Sequence, residues 1–441
     1  MSAFWCEQAM LPEGLRTSVR VVVDGDRIRS VTPSVPAEPG DVPLHGVVLP
    51  GLANAHSHSF HRALRGRTHA DGGNFWTWRE AMYAVTHRLD PQTSHSLAKA
   101  VFAEMVLAGY TVVGEFHYLH HAEGGRVHDD PNVMGRALIS AAREAGIRLT
   151  LLDTAYLSGG LTADGHLPLD DVQQRFSDGS AAAWADRVAD LSGDDTTRIG
   201  AAVHSVRAVP REELAVMGAV AASRGLPLHV HLSEQPGENL ACQSFYGCSP
   251  TELLASEGLL TTSTTAVHGT HLSEKDIRLI GDAGATVCFC PTTERDLADG
   301  VGPARALHDA RASISLGSDQ HAVIDPFEEV RGVEMHERLD SLERGRFSPA
   351  ELLAMGSLFG YRSLGWDDGG LIAAGHLADL VAVRLDSPRT AGCGGEGVLY
   401  AATSADVTDV VVGGDRVVQD GTHRLGDVGA MLGHAIAAVR A

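Results

Sequence analysis

Cysteine is scarce: six residues in 441, at positions 6, 242, 248, 288, 290 and 393, with no CxxC pair among them. That number and spacing argue against a disulfide framework or a zinc ribbon and leave reduced, mostly packing residues. Lysine is scarcer still, at Lys99 and Lys275 only, so arginine carries nearly all the positive charge. No basic cluster offsets a formal charge of −21, which argues against a nucleic-acid partner. No apolar run approaches the ~18 residues of a membrane span, so no membrane partner is expected either. The opening stretch MSAFWCEQAMLPEGLR lacks the basic start and apolar core of a secretory signal, and a cytoplasmic location is expected.

What remains is an ordinary globular composition, 44% hydrophobic and 21% charged, with a large core available. The segment SVRVVVDGDRIRSVTP alternates apolar and polar residues around Asp24-Gly25, a hairpin signal. Short Val-rich runs return at HLADLVAVRLD and DVTDVVVGGDRVVQDG. The two ends are therefore expected to pair as one discontinuous β-sandwich domain of residues 1–47 and 366–441. Between them, residues 48–365 alternate eight short β-type runs with helical periods such as 91–108, 132–145, 210–224 and 273–283. Eight strands alternating with helices predict a (β/α)8 barrel, an α/β fold whose chemistry lies at the C-terminal ends of its strands. The stretch 158–180 reads as a long insertion, either a lid or a plain solvated loop.

Those strand ends are where the histidines gather. In LPGLANAHSHSFHR, residues 49–62, His56 and His58 are two apart and share one face of a strand. An isolated HxH is more often structural than ligating, so the weight comes from company. HVHLSE ends the fifth run with His229, His231 and Glu234, AVHGTH ends the sixth with His268, and GSDQH ends the eighth with Asp319. His56, His58, His231 and Asp319 supply three imidazoles and a carboxylate, a set suited to Zn²⁺ or Fe²⁺. His229 and His271 read as scaffold. His61 lies past the strand and is not counted as a ligand.

The HxH after a PGL strand, the HxHxxE of 229–234, the later His268 and the GSD aspartate resemble the amidohydrolase superfamily, in its mononuclear aminohydrolase branch, over nearly the whole chain. Dinuclear members use a carbamylated lysine inside the barrel. Neither lysine suits that place here, since Lys99 falls in a helical period and Lys275 follows the sixth strand, so one divalent ion is expected, Zn²⁺ first with Fe²⁺ open. The resemblance implies hydrolytic deamination of an amidine, guanidine or aminated heterocycle. Asp319 and His268 would orient and deprotonate water, and Glu234 would pass the proton to the departing nitrogen. Three further segments, NFWTWREAMY, GEFHYLHH and HSVRAV, are similar to those of the formimidoylglutamate deiminases, which convert N-formimidoyl-L-glutamate to N-formyl-L-glutamate and ammonia in histidine degradation. That similarity implies a small dicarboxylate substrate bound by Arg79, Arg207, His204, Tyr118 and His61, with Trp76 and Trp78 as packing walls. His61 departs from the pattern, where glutamine is usual; it keeps a donor, with a pH dependence, or marks a shifted preference. Other formimino-amino acids and heterocycles of the guanine, cytosine or adenosine type stay open, as does a barrel that has lost its metal. Relatives of this kind are commonly homodimers.

Overall fold

The fold follows from where prolines, glycines and capping residues interrupt the hydrophobic pattern. The computed structural model describes residues 2–67 and 75–440, without the side chains of residues 75–77, 79 and 80. The strands are β1 (Ser2–Leu11), β2 (Gly14–Asp24), β3 (Arg27–Thr32), β4 (Val42–Pro50), β5 (Leu52–Ser57), β6 (Tyr110–His117), β7 (Arg148–Ala155), β8 (Gly160–Thr162) and β9 (Gly165–Leu167). They continue with β10 (Thr197–Ser205), β11 (Leu228–Leu232), β12 (Thr264–His268), β13 (Thr286–Phe289), β14 (Ser313–Leu316), β15 (Leu380–Val383), β16 (Val407–Val412), β17 (Asp415–Gln419) and β18 (Thr422–His423).

Eight of these, β5, β6, β7 and β10 to β14, form a parallel sheet in chain order. The two ends of that sheet meet where the Ser318 and Asp319 amides donate to the His56 carbonyl and the His58 amide to that of Asp319. The strands alternate with helices, as a (β/α)8 barrel requires. The helix Pro91–Ala108 shows why its boundaries fall where they do: Asp90 accepts from the Thr93 amide in a reciprocal cap, proline occupies the first turn, and Gly109 ends the helix at φ 106°, a conformation that costs glycine little. The helices Val133–Ala145, Arg211–Arg224 and Glu274–Ala283 likewise fill their expected periods.

The terminal strands make a second eight-stranded sheet, ordered β18-β17-β16-β15-β4-β1-β2-β3. Its β3 edge curls back onto residues 375–378, which lead into β15, through Ile28 to the His376 carbonyl and Gly375 to that of Ile28. The period of two along β4, β15 and β16 then decides two cores. Val48, Leu380, Ala382 and Val411 face inward with Phe4, Cys6, Val19 and Val21, whereas Val47, Leu49, Val381 and Val410 join the barrel's large core. Each buried Val or Leu among them contributes about 1.5–3 kcal/mol. Residues 46–58 fall in two strands parted at Pro50-Gly51, so β4 serves the terminal sheet and β5 the barrel.

The same division separates function from stability. At the strand starts, Arg148 donates to Asp379 at 2.9 and 3.3 Å, and Tyr361 Oη at 2.6 Å, tying barrel to terminal sheet. The candidate site occupies the opposite, C-terminal mouth.

Candidate active site

His56 and His58 stand on β5, His231 on β11, and Asp319 just beyond β14, where the barrel's first and last strands meet. Their ligand atoms all lie within 4.8 Å of one another, and all four side chains are buried. Asp319 Oδ1 is 3.3 Å from Nε2 of both His56 and His58, and His231 Nε2 is 3.1 Å from His56 Nε2. The outer nitrogens explain the inward ones: His58 Nδ1 donates to the Phe116 carbonyl at 3.0 Å and His231 Nδ1 to the His204 carbonyl at 2.8 Å. With those two protons held outside, the Nε2 lone pairs of His58 and His231 face into the cluster, an arrangement a cation there relieves. Burial favours the neutral rings as well, lowering His56 to about 3 and His58 and His231 in the same direction. Asp319 is the converse: burial opposes its charge, but the facing imidazoles hold it well below the usual carboxylate range. The donor set therefore fits one divalent metal ion.

Gly317 is needed for this convergence, since a Cβ there would lie 2.7 Å from His56 Cβ and 2.8 Å from the His56 carbonyl oxygen. His268 and Asp319 adopt left-handed backbone, at φ 70° and 42°, strain of the kind that sites retain when packing holds it in place. His268 Nε2 is 3.9 Å from Asp319 Oδ2 and 3.8 Å from Glu234 Oε1. On its other side Nδ1 faces Glu294 Oε1 at 3.4 Å. Although burial opposes it, these three carboxylates raise His268 to about 10. Sequence reading missed Glu294. The signal was there, in a carboxylate four residues beyond Cys290 at the tip of β13.

The cluster opens into a cavity of about 720 Å³ lined by His61, Tyr118, His204, Arg207, Glu234 and His268 among others. His61 Nε2 pairs with Tyr118 Oη at 3.0 Å, and burial holds its ring well below ordinary histidine basicity. Arg207 is not a free fork: Nε donates to Glu238 at 3.2 Å and Nη2 lies 3.6 Å from Glu234. Glu238, which lines the cavity too, was not anticipated, and burial raises its pKa. Trp78 is a buried wall, whereas the side chains of Trp76 and Arg79 lie outside the described residues. His229 donates to the Ser363 carbonyl at 2.8 Å and His271 to that of Asp299 at 2.8 Å, as scaffold residues do. The stretch 158–180 is no plain solvated loop. Gly159, Leu161, Asp170 and Gln173 line the cavity, Gln173 donating to Tyr156 Oη at 3.1 Å.

A second group, His117, His120 and Asp153, also brings three ligand atoms within 4.8 Å. Its chemistry differs, because Arg187 grips Asp153 at 2.8 and 3.0 Å and Trp184 donates at 3.0 Å. The guanidinium already supplies the positive charge there, so this is a structural ion network.

With this geometry established, comparison with known proteins assigns the chain. Residues 47–417 match the model of the amidohydrolase family. The chain belongs to that family. This amidohydrolase is a hydrolase of C–N bonds, and it is 34% identical to the formimidoylglutamate deiminase of Pseudomonas aeruginosa over 96% of each chain. It is 30% identical to an 8-oxoguanine deaminase of the same bacterium, over 100% of this chain and 99% of that one. Among solved structures, an amidohydrolase from Brucella melitensis superposes with a TM-score of 0.91 at 31% identity over 100% of both chains. An adenosine deaminase from Xanthomonas campestris with bound zinc, 24% identical over 99% of this chain and 97% of that one, shares the fold with a TM-score of 0.83. Among the described residues, no helix is long and apolar enough to cross a membrane.

Proposed function

We propose that this amidohydrolase deaminates N-formimidoyl-L-glutamate hydrolytically, releasing N-formyl-L-glutamate and ammonia, as a step of histidine degradation. The observation that carries this reading is a four-donor cluster opening onto a cavity that also holds Arg207, His204, Tyr118 and His61. The full-length likeness to a formimidoylglutamate deiminase supports it.

In this reading His56, His58, His231 and Asp319 hold one Zn²⁺, with Fe²⁺ compatible with the same donors. When bound, the ion supplies Lewis acidity and makes water nucleophilic near neutral pH. Asp319 takes up the proton of that water at Oδ2, and His268, held protonated by its three carboxylates, orients the water from Nε2. Glu234, 3.8 Å from His268 Nε2, carries a proton to the imino nitrogen and then to the departing amine, so ammonia leaves in place of an amide ion. Arg207 and Arg79 bind the substrate's carboxylates, and His204, Tyr118 and His61 donate hydrogen bonds. His61 does so as a neutral ring. The proposal includes a cytoplasmic homodimer, checked by sizing of the purified protein.

The decisive experiment measures ammonia release from formimidoyl-L-glutamate, formimidoyl-L-aspartate, guanine and cytosine. Preference for the glutamate derivative by at least about tenfold in kcat/KM is expected. Preference for another formimino-amino acid or for a heterocycle moves the assignment within the family. The heterocycle reading draws on the likeness to 8-oxoguanine deaminase and on the aromatic walls Tyr118, Tyr156 and Phe176.

A further inference from the structure

Three segments wall the cavity away from the ion cluster: the helix Phe75–Thr86 through Met82 and Tyr83, the stretch after β6 through Tyr118, and residues 158–180 through Gln173 and Phe176. They are far apart in sequence, and one side chain joins all three. Arg175, 4% exposed, donates from Nη1 to the Thr86 carbonyl, from Nη2 to the Leu89 carbonyl at 2.7 Å and from Nε to the His121 carbonyl at 3.0 Å. Its own carbonyl receives the amides of His120 at 3.1 Å and His121 at 2.9 Å.

These partners are neutral main-chain carbonyls. Burying a guanidinium among them costs free energy, and burial lowers its pKa, with Glu123 and Asp90 opposing. The acceptors nevertheless suit a cation: Thr86 ends its helix and Leu89, whose amide donates to the Thr86 carbonyl at 3.1 Å, follows within one turn, at the negative end of the helix dipole. A lysine cannot span three carbonyls with a planar fork. Three residues on, Asp178 anchors the same end of 158–180, accepting from Arg187 Nε at 2.8 Å and pairing with His121 Nε2 at 3.0 Å.

We propose that Arg175 is a positioning residue for substrate binding, clasping the helix Phe75–Thr86 and the Tyr118 stretch against 158–180 so that the cavity is shaped before substrate arrives. This rests on the reading that the cavity receives the substrate. Arg175 touches neither substrate nor ion cluster, so its loss acts on KM and leaves the chemical step alone.

The test compares wild type with Arg175→Ala and Arg175→Lys by steady-state ammonia release and hydrogen exchange, with and without millimolar guanidinium. For Arg175→Ala, KM is expected to rise about tenfold or more with kcat within about threefold, and guanidinium to recover at least about threefold of KM in the variant alone. Exchange should quicken in 75–89 and 158–180 and stay unchanged in the barrel strands. A KM within about twofold of wild type, or a kcat loss matching the KM rise together with lost metal, overturns the proposal. Should Arg175→Ala not fold, Arg175→Lys decides it, with KM raised about threefold expected and an unchanged KM refuting. A wild type inert toward every formimino-amino acid would sink the substrate reading instead, while the exchange comparison would still decide the clasp.

Discussion

Asp319 concentrates several contacts in one residue: it closes the barrel through its backbone, and its carboxylate faces two histidine Nε2 atoms and lies beside His268. Changing Asp319 to Asn keeps the shape and removes the charge. Turnover should fall by about 10³-fold or more while the far-ultraviolet circular dichroism is unchanged; retained kinetics would remove Asp319 from the site. Arg207 behaves differently because it is paired. Arg207→Met should raise KM about tenfold or more and also destabilise the protein by about 3–5 kcal/mol, since Glu238 is left buried and uncompensated. Adding Glu238→Gln should recover stability in urea unfolding without recovering KM; recovery of both would mean that Arg207 serves Glu238 alone. His61 shows what its sequence position could not reveal. Burial keeps the ring neutral, so the anticipated dependence on a protonated donor is replaced by a fixed partner, Tyr118.

At the scale of elements, capping and turn residues made helices and hairpins readable, because those signals act within a few residues of chain. The Asp24-Gly25 turn and the helix over 91–108 depend on nothing distant. The division of 46–58 into β4 and β5 does depend on distant partners, β15 for one strand and β6 for the other. So does the stretch 158–180, whose composition suits a solvated loop and whose place is set by Arg175 and Arg187. The terminal sheet carries its own pH signature. Beside Arg389, at 2.7 and 2.9 Å, and the Thr403 amide, Asp406 is held down from the ordinary 3.8 to about 2, although burial opposes its charge. A depressed carboxyl pKa contributes stability above pH 3.8 that is lost as pH falls through about 2. Asp406→Asn should therefore flatten the acid limb of the stability curve in that window, and an unchanged limb would contradict the pairing.

For the whole molecule, ion and fold are coupled, because three neutral imidazoles and a carboxylate brought together from β5, β11 and the end of β14 are stabilised by a cation that binds only the folded chain. Chelation should abolish turnover and lower the melting temperature by several degrees, with about one equivalent of Zn²⁺ or Fe²⁺ per chain restoring both. Stoichiometry near two, or activity surviving complete metal removal, would refute a single-ion site. The face at the strand starts, held by Arg148, Tyr361 and Asp379, should take no part in that response.

The pattern of residues along the chain determined the alternation of strands and helices, the terminal β domain and the histidines and carboxylate at strand tips, because each is written in local periodicity or in a short motif. Only the tertiary structure decided which of those groups meet, that Arg207 already has an acid beside it, that Glu294 backs His268, and that 158–180 is a wall. Those facts depend on distances between segments separated by scores of residues, and on burial, which sets charge states that a side chain's identity leaves free.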